Sequence, residues 1–196
     1  MGGDPALDKF DFILILLSFA FAMALGRLLA SGGALLQARR RVRFSGLWLL
    51  AVLNALAQVF VDWLSLWDMR DLAVWNLFQI AVFFTYPIIV YFICVAATPE
   101  TLEDGEIDLE RFYWENRRVF YGLFALLMLT FIGAGGFLAT AASPRLALQQ
   151  SLSNLPFLAA SLLGLFARAR WAQWAAGLSL LILTIAWAVY FSGALT

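Results

Sequence analysis

Apolar residues run along this chain in long blocks separated by short polar or charged stretches, and the blocks are about as long as a helix that crosses a lipid bilayer. Six blocks are predicted to be helices, at residues 10–36, 44–66, 72–97, 119–140, 146–166 and 171–193. Within the second block the polar positions have a period: Asn54, Gln58 and Asp62 follow one another at intervals of four. On an α-helix that spacing puts all three on one face. A polar face in lipid is costly unless it turns toward other helices or water, so the stripe is expected to point into a bundle. The third block opens with Asn76 and Gln79, one turn apart and at about the depth of Asp62. Near its middle stands Pro87, whose ring removes a backbone hydrogen bond and predicts a kink that acts as a hinge or is simply tolerated. The outer half of the fifth block carries a second polar cluster, Gln149, Gln150, Ser151, Ser153 and Asn154.

The polar stretch 98–110 is acidic. After Gly105, the alternation of Ile107, Leu109, Phe112, Tyr113 and Trp114 with Arg111, Glu115, Arg117 and Arg118 predicts an interfacial helix at 107–118 that leads into the fourth span. Asp108 suits its N-cap. The paired carboxylates of this stretch read as a solvated loop rather than a cation site. In the fourth span, Gly133-Ala-Gly-Gly136 permits close approach between helices.

Composition turns these blocks into a fold class. With 63% apolar and 13% charged residues, the chain is expected to be an all-α, polytopic membrane protein: one transmembrane domain, 1–196, built as a bundle of six helices in the lipid bilayer. Four arginines in the five positions 39–43 mark the first loop as cytoplasmic and place the N-terminus outside. Counted onward, nine arginines fall on inner segments and three basic residues, Lys9, Arg70 and Arg145, on outer ones. The start of the chain lacks the basic region of a secretory signal, and Ala6 breaks the myristoylation pattern, so the first span is expected to stay as an anchor. Arg27 lies inside the first span. Its stem either snorkels to the cytoplasmic interface or lies at the depth of Asn54 and Gln58, closing the stripe from inside.

The residue inventory excludes more chemistry than it offers. Histidine is absent, which removes imidazole-ligated haem and zinc and the usual nucleophile triads. Cys94 is the single cysteine and lies in an apolar span, and Lys9, the single lysine, precedes the first span. No enzyme activity, cofactor or metal site is expected, and with zero net charge no nucleic acid partner.

Slid against itself by 99 positions, the chain aligns Ala73 with Ala172, Trp75 with Trp174, Thr85 with Thr184, and Val90-Tyr91-Phe92 with Val189-Tyr190-Phe191. Three helices per repeat would give an inverted 3+3 arrangement, with a site between the halves. The runs Leu25-Gly-Arg27-Leu-Leu and Arg39-Arg-Arg-Val-Arg43, the stretch from Gln58 to Trp63, Pro87, and Phe112-Tyr-Trp-Glu-Asn-Arg-Arg-Val-Phe120 together resemble a family of small polytopic inner-membrane proteins of bacteria. The resemblance implies a bacterial inner membrane and no particular activity.

Two functions remain open at this level. The first is a protein that binds or conducts a small solute or ion, with Asn54, Gln58, Asp62, Asn76, Gln79 and Asn154 lining an outward-facing polar cavity and Arg27 closing it. The second is a non-catalytic accessory or scaffold subunit whose 31 aromatic residues and small-residue patches dock other membrane subunits, a second copy of the chain, lipids or pigments.

Overall fold

A computed structural model describes residues 9–66, 77–99, 106–140 and 144–194. Among them six α-helices follow in order: α1 (Lys9–Gln37), α2 (Gly46–Ser65), α3 (Leu77–Ala97), α4 (Leu109–Thr140), α5 (Pro144–Phe166) and α6 (Arg170–Ala194). The chain is an all-α helical bundle. Four of the helices are long and apolar enough to cross a membrane, over Ile13–Gln37, Gly46–Ser65, Ile80–Ala97 and Arg170–Tyr190, and α5 adds a shorter apolar stretch, Ser151–Phe166.

α2 is the central helix. It packs against α1, α3, α4 and α6, while α4 and α5 form the most extensive helix pair. Its polar stripe is therefore surrounded, and Asn54, Gln58 and Asp62 are all buried. The core around it is aliphatic and aromatic, with Leu17, Phe21, Ala55, Val59, Val90, Ile93, Phe124, Leu127 and Leu180 among its buried members.

Two features stand out at the end of the bundle where α4 begins. The helix expected at 107–118 begins at Leu109 and runs into the fourth span as one helix, α4, which continues unbroken to Thr140. At 1.5 Å per residue a helix of 32 residues is about 48 Å long, more than the roughly 30 Å of a bilayer's hydrocarbon core. The arginine-rich first loop makes a 3-10 turn at Arg39–Arg41 and then a two-residue strand, β1 (Val42–Arg43), which pairs in parallel with β2 (Ile107–Asp108). These strands carry no period-2 pattern long enough to be legible in sequence. They are held by neighbouring side chains: Arg43 Nη1 lies 3.5 Å from Asp108 Oδ2, Ser45 Oγ donates to Glu110 Oε2 at 2.7 Å, and Arg170 Nη2 lies 3.4 Å from Glu110 Oε1.

Asp108 does cap α4. Its Oδ1 accepts from the backbone N–H groups of Glu110 at 2.9 Å and Arg111 at 3.0 Å. The Arg111 N–H holds the Asp108 carboxyl below the usual carboxylate range; desolvation, the next largest influence, opposes it, and the Glu110 N–H and then the Arg43 and Arg111 guanidinium groups reinforce it. A depressed carboxyl stabilises the fold fully above its unfolded value, about 3.9, and ceases to do so as pH falls through the lower folded value. Hydrogen exchange should show protection of the Glu110 and Arg111 amides that is flat from pH 7 to about 5 and declines only below about pH 4; a decline already at pH 6 would show that another group holds this turn.

Of the helices that the 99-residue alignment joins, α2 packs on α3 and α5 on α6; the helices before each pair are placed differently. α1 packs chiefly on α3, whereas its counterpart α4 packs chiefly on α5 and then α3. α3 runs through Pro87 as one helix, and the proline ring is fully buried.

Candidate functional site

The stripe holds itself partly with its own atoms. Gln58 Nε2 donates to Asp62 Oδ1 at 2.8 Å, a bond the i, i+4 spacing makes available on any helix. Asn54 Nδ2 donates twice, to Leu50 O at 2.8 Å and to Gly177 O on α6 at 3.0 Å. Gly177 permits this approach, since a Cβ there would lie 2.6 Å from Leu50 Cδ2. Three buried side-chain oxygens have no partner among the described residues, Ser31 Oγ on α1 and two on the stripe, Asn54 Oδ1 and Asp62 Oδ2. Buried polar atoms are nearly always paired, so two on one face of one helix mark the stripe as chemically incomplete by itself. The Asp62 carboxylate is also within electrostatic reach of Tyr86 on α3, whose ring stacks on Phe131 of α4 with centroids 4.5 Å apart.

The other predicted site residues divide. Arg27 is not brought to the stripe: its Nε donates to Thr98 Oγ1 at 3.2 Å, at the end of α3. That end lies level with the start of α2, where Trp48 Nε1 donates to Ala97 O at 3.0 Å. The long stem of Arg27 carries its charge to the carboxyl terminus of α3, where cations are stabilised. Asn154 is on α5, whose main partners are α4 and α6, so α6 rather than α5 closes the stripe. Asn76 lies outside the described residues, as does the side chain of Gln79.

A second polar cluster, missed in the sequence, lies between the start of α4, the end of α5 and the start of α6. Gln173 is fully buried; its Nε2 donates to Gly164 O at 3.0 Å and Ala167 O at 2.6 Å, and its Oε1 accepts from Tyr113 Oη at 2.8 Å. Arg117 Nη1 donates to the same two carbonyls, at 3.2 and 2.9 Å, and to Leu165 O at 3.4 Å. Together they satisfy the carbonyls left over at the end of α5. The only sequence signal was a glutamine in the first turn of an apolar helix.

Between α1 and α2 an apolar groove of about 270 Å³ is lined by Ser18, Phe21, Ala22, Leu25, Leu56, Val59, Phe60 and Trp63. Among the described residues no group of three or more acidic, histidine or cysteine side chains is placed to hold a metal ion. No family model matches the chain, and neither a curated protein nor a solved structure does.

Proposed function

We propose that this membrane protein binds or conducts a small solute or ion, with a proton or a monovalent cation the species best suited to its interior. The supporting observation is the buried Asp62 carboxylate with one oxygen unpaired among the described residues, in line with Gln58 and with the unpaired oxygen of Asn54. A carboxylate enclosed in a low-dielectric bundle is retained at a cost of several kcal/mol unless it holds a proton or a cation. One carboxylate with two carboxamide groups balances one positive charge, whereas a divalent ion is usually held by several carboxylates. Gln79 lies in the first turn of α3, at the end toward which α2 runs, which makes the outer surface the expected entrance, and Pro87 the expected hinge. The six spans, the outward N-terminus and a bacterial inner membrane complete this reading, and no catalytic step or cofactor enters it.

Asp62→Asn tests it. The substitution keeps the size of the side chain and an acceptor for Gln58, and removes only the ionisable group. In proteoliposomes under an imposed membrane potential, flux of H⁺, Na⁺ and K⁺ is measured in turn. One of these is expected to exceed the empty-liposome rate in the wild type and to drop at least tenfold in the variant, which is about 1.4 kcal/mol or more. Equal flux in the two proteins removes Asp62 from the path.

A second reading, the scaffold or accessory subunit, rests on a different observation. Leu49, Leu53, Leu56, Phe60 and Trp63 form an exposed ridge on α2 at alternating spacings of four and three. On the neighbouring helix α1, a Cβ added at Gly26, Gly32 or Gly33 would meet nothing within 4 Å. A ridge at that spacing beside small residues is what a second copy of the chain would need to pack against. Native mass measurement in nanodiscs decides it: a dimer supports this reading, and a lone 21.8 kDa chain does not.

A further inference from the structure

The ion pairs at the end of the bundle where α4 begins are unevenly distributed. Among the described residues they engage Arg43, Arg111 and Arg170, with Asp108, Glu115 and Glu110 as their partners. Arg118 and Arg168 enter none of them, although both are exposed. They flank a third guanidinium, Arg117, which is fixed by its three carbonyl bonds and by the Trp114 ring 5.3 Å from its Cζ. Burial pushes the Arg117 guanidinium below its usual value, repulsion from Arg118 and then Arg168 pushes it further, and Tyr113 and Tyr121 oppose this. No carboxylate contributes to that balance. Among the described residues, three cations are thus gathered beside the α5–α6 turn with no ion pair to a carboxylate, the nearby Glu110 being engaged by Arg170.

The surroundings say which anion fits. Val119 follows Arg118 directly and is 56% exposed, Phe166 precedes Arg168 by two residues and is 74% exposed, and Trp171 follows it by three and is 73% exposed. Cations therefore meet outward-facing apolar and aromatic side chains at the boundary where an apolar span begins and another ends. That is the profile of a headgroup with acyl chains below it, not of a soluble anion, which would gain nothing from exposed Phe166 and Trp171.

We propose that the surface formed by Arg118, Arg168, Phe166 and Trp171 binds a phospholipid of net negative headgroup from the inner leaflet, its phosphate between Arg118 and Arg168. Arg117 holds the turn and contributes charge from beneath. The site is separate from the α2 stripe and does not depend on what that stripe carries.

The test uses the full chain in detergent micelles, titrated with phosphatidylglycerol, phosphatidylcholine or inorganic phosphate and read by native mass spectrometry. Each basic residue near an anionic surface is worth roughly a fivefold change in affinity, so R118Q/R168Q is expected to weaken phosphatidylglycerol binding about thirtyfold. Both side chains are exposed, so its heat-denaturation midpoint is expected to equal that of the wild type. R39Q/R40Q removes two exposed arginines of the first loop and is expected to leave binding within about twofold. Unchanged affinity in R118Q/R168Q overturns the proposal, and an equal loss in R39Q/R40Q overturns it too, because attraction would then be diffuse. Phosphatidylcholine binding as tightly as phosphatidylglycerol, or displacement of the lipid by millimolar inorganic phosphate, likewise rejects an anionic lipid as the occupant.

Discussion

Gly164→Ala is expected to destabilise the bundle by about 3 kcal/mol, at the upper end of what one extra methyl group costs in a packed core. A Cβ at Gly164 would fall 2.5 Å from Cδ1 and Cε1 of Tyr121 and 2.6 Å from its Cγ. A flexible side chain would swing away, but this ring has nowhere to go. Tyr121 is buried, its ring stands edge-on to Phe120 with centroids 5.2 Å apart, and its hydroxyl is 3.3 Å from that of Tyr113. A Cβ at Gly177 would in turn lie 3.3 Å from the Tyr121 hydroxyl oxygen. One aromatic side chain of α4 is therefore fitted against glycines of α5 and α6, and the methyl group must push α5 away from its principal partner. Gly122→Ala, whose Cβ would meet only Leu165 Cδ1 at 3.9 Å, and Gly26→Ala, in open space, are expected to be neutral or slightly stabilising because alanine favours the helix. Denaturation of the three variants in mixed micelles checks this; equal midpoints would mean that the α4–α5 contact does not run through Tyr121.

That fit was not legible in the sequence. Glycines at 164 and 177 stand in apolar helices, and no periodicity says which aromatic residue a glycine receives. The α2 stripe was legible, because spacing alone puts Asn54, Gln58 and Asp62 on one face and the cost of polar groups in lipid turns that face inward. Which helix meets it was not: its neighbours are apolar around most of their circumference, so rotation about their own axes is set by packing, and α6 rather than α5 supplies the Gly177 carbonyl. One of the identities that suggested a duplication, Thr85 with Thr184, has a local explanation. Thr85 Oγ1 donates to Ala81 O at 3.0 Å and Thr184 Oγ1 to Leu180 O at 2.8 Å. Each hydroxyl satisfies itself one turn back, as a threonine in any apolar helix must.

Charge was read least well where one arginine looks like another. Arg117 counted toward the orientation of the chain together with Arg118, yet the first is buried and bonded to carbonyls while the second is exposed. The helix that carries them is rotated so that 117 faces the end of α5, and nothing in a tally of basic residues contains that rotation.

The consequence is a double variant that should cost more than its parts. Arg117 and Gln173 share two acceptors, Gly164 O and Ala167 O. In Arg117→Met, Gln173 still satisfies both carbonyls and Leu165 O loses only a long bond of 3.4 Å; in Gln173→Leu, Arg117 still satisfies both and Tyr113 Oη loses its closest acceptor. Each single variant is expected to cost about 2 kcal/mol, the scale of losing buried hydrogen bonds with partial compensation. With both side chains replaced, the carbonyls are bare in an interior with little water, and each unsatisfied group adds roughly 1–3 kcal/mol. The double variant should therefore lose about 6 kcal/mol, around 2 kcal/mol beyond the sum, which is within the range seen for groups sharing one network. A double-mutant cycle on denaturation free energies measures that excess. Strict additivity would mean that the two side chains act on different features of the α5–α6 turn, and that the shared carbonyls are satisfied by some third group when both are gone.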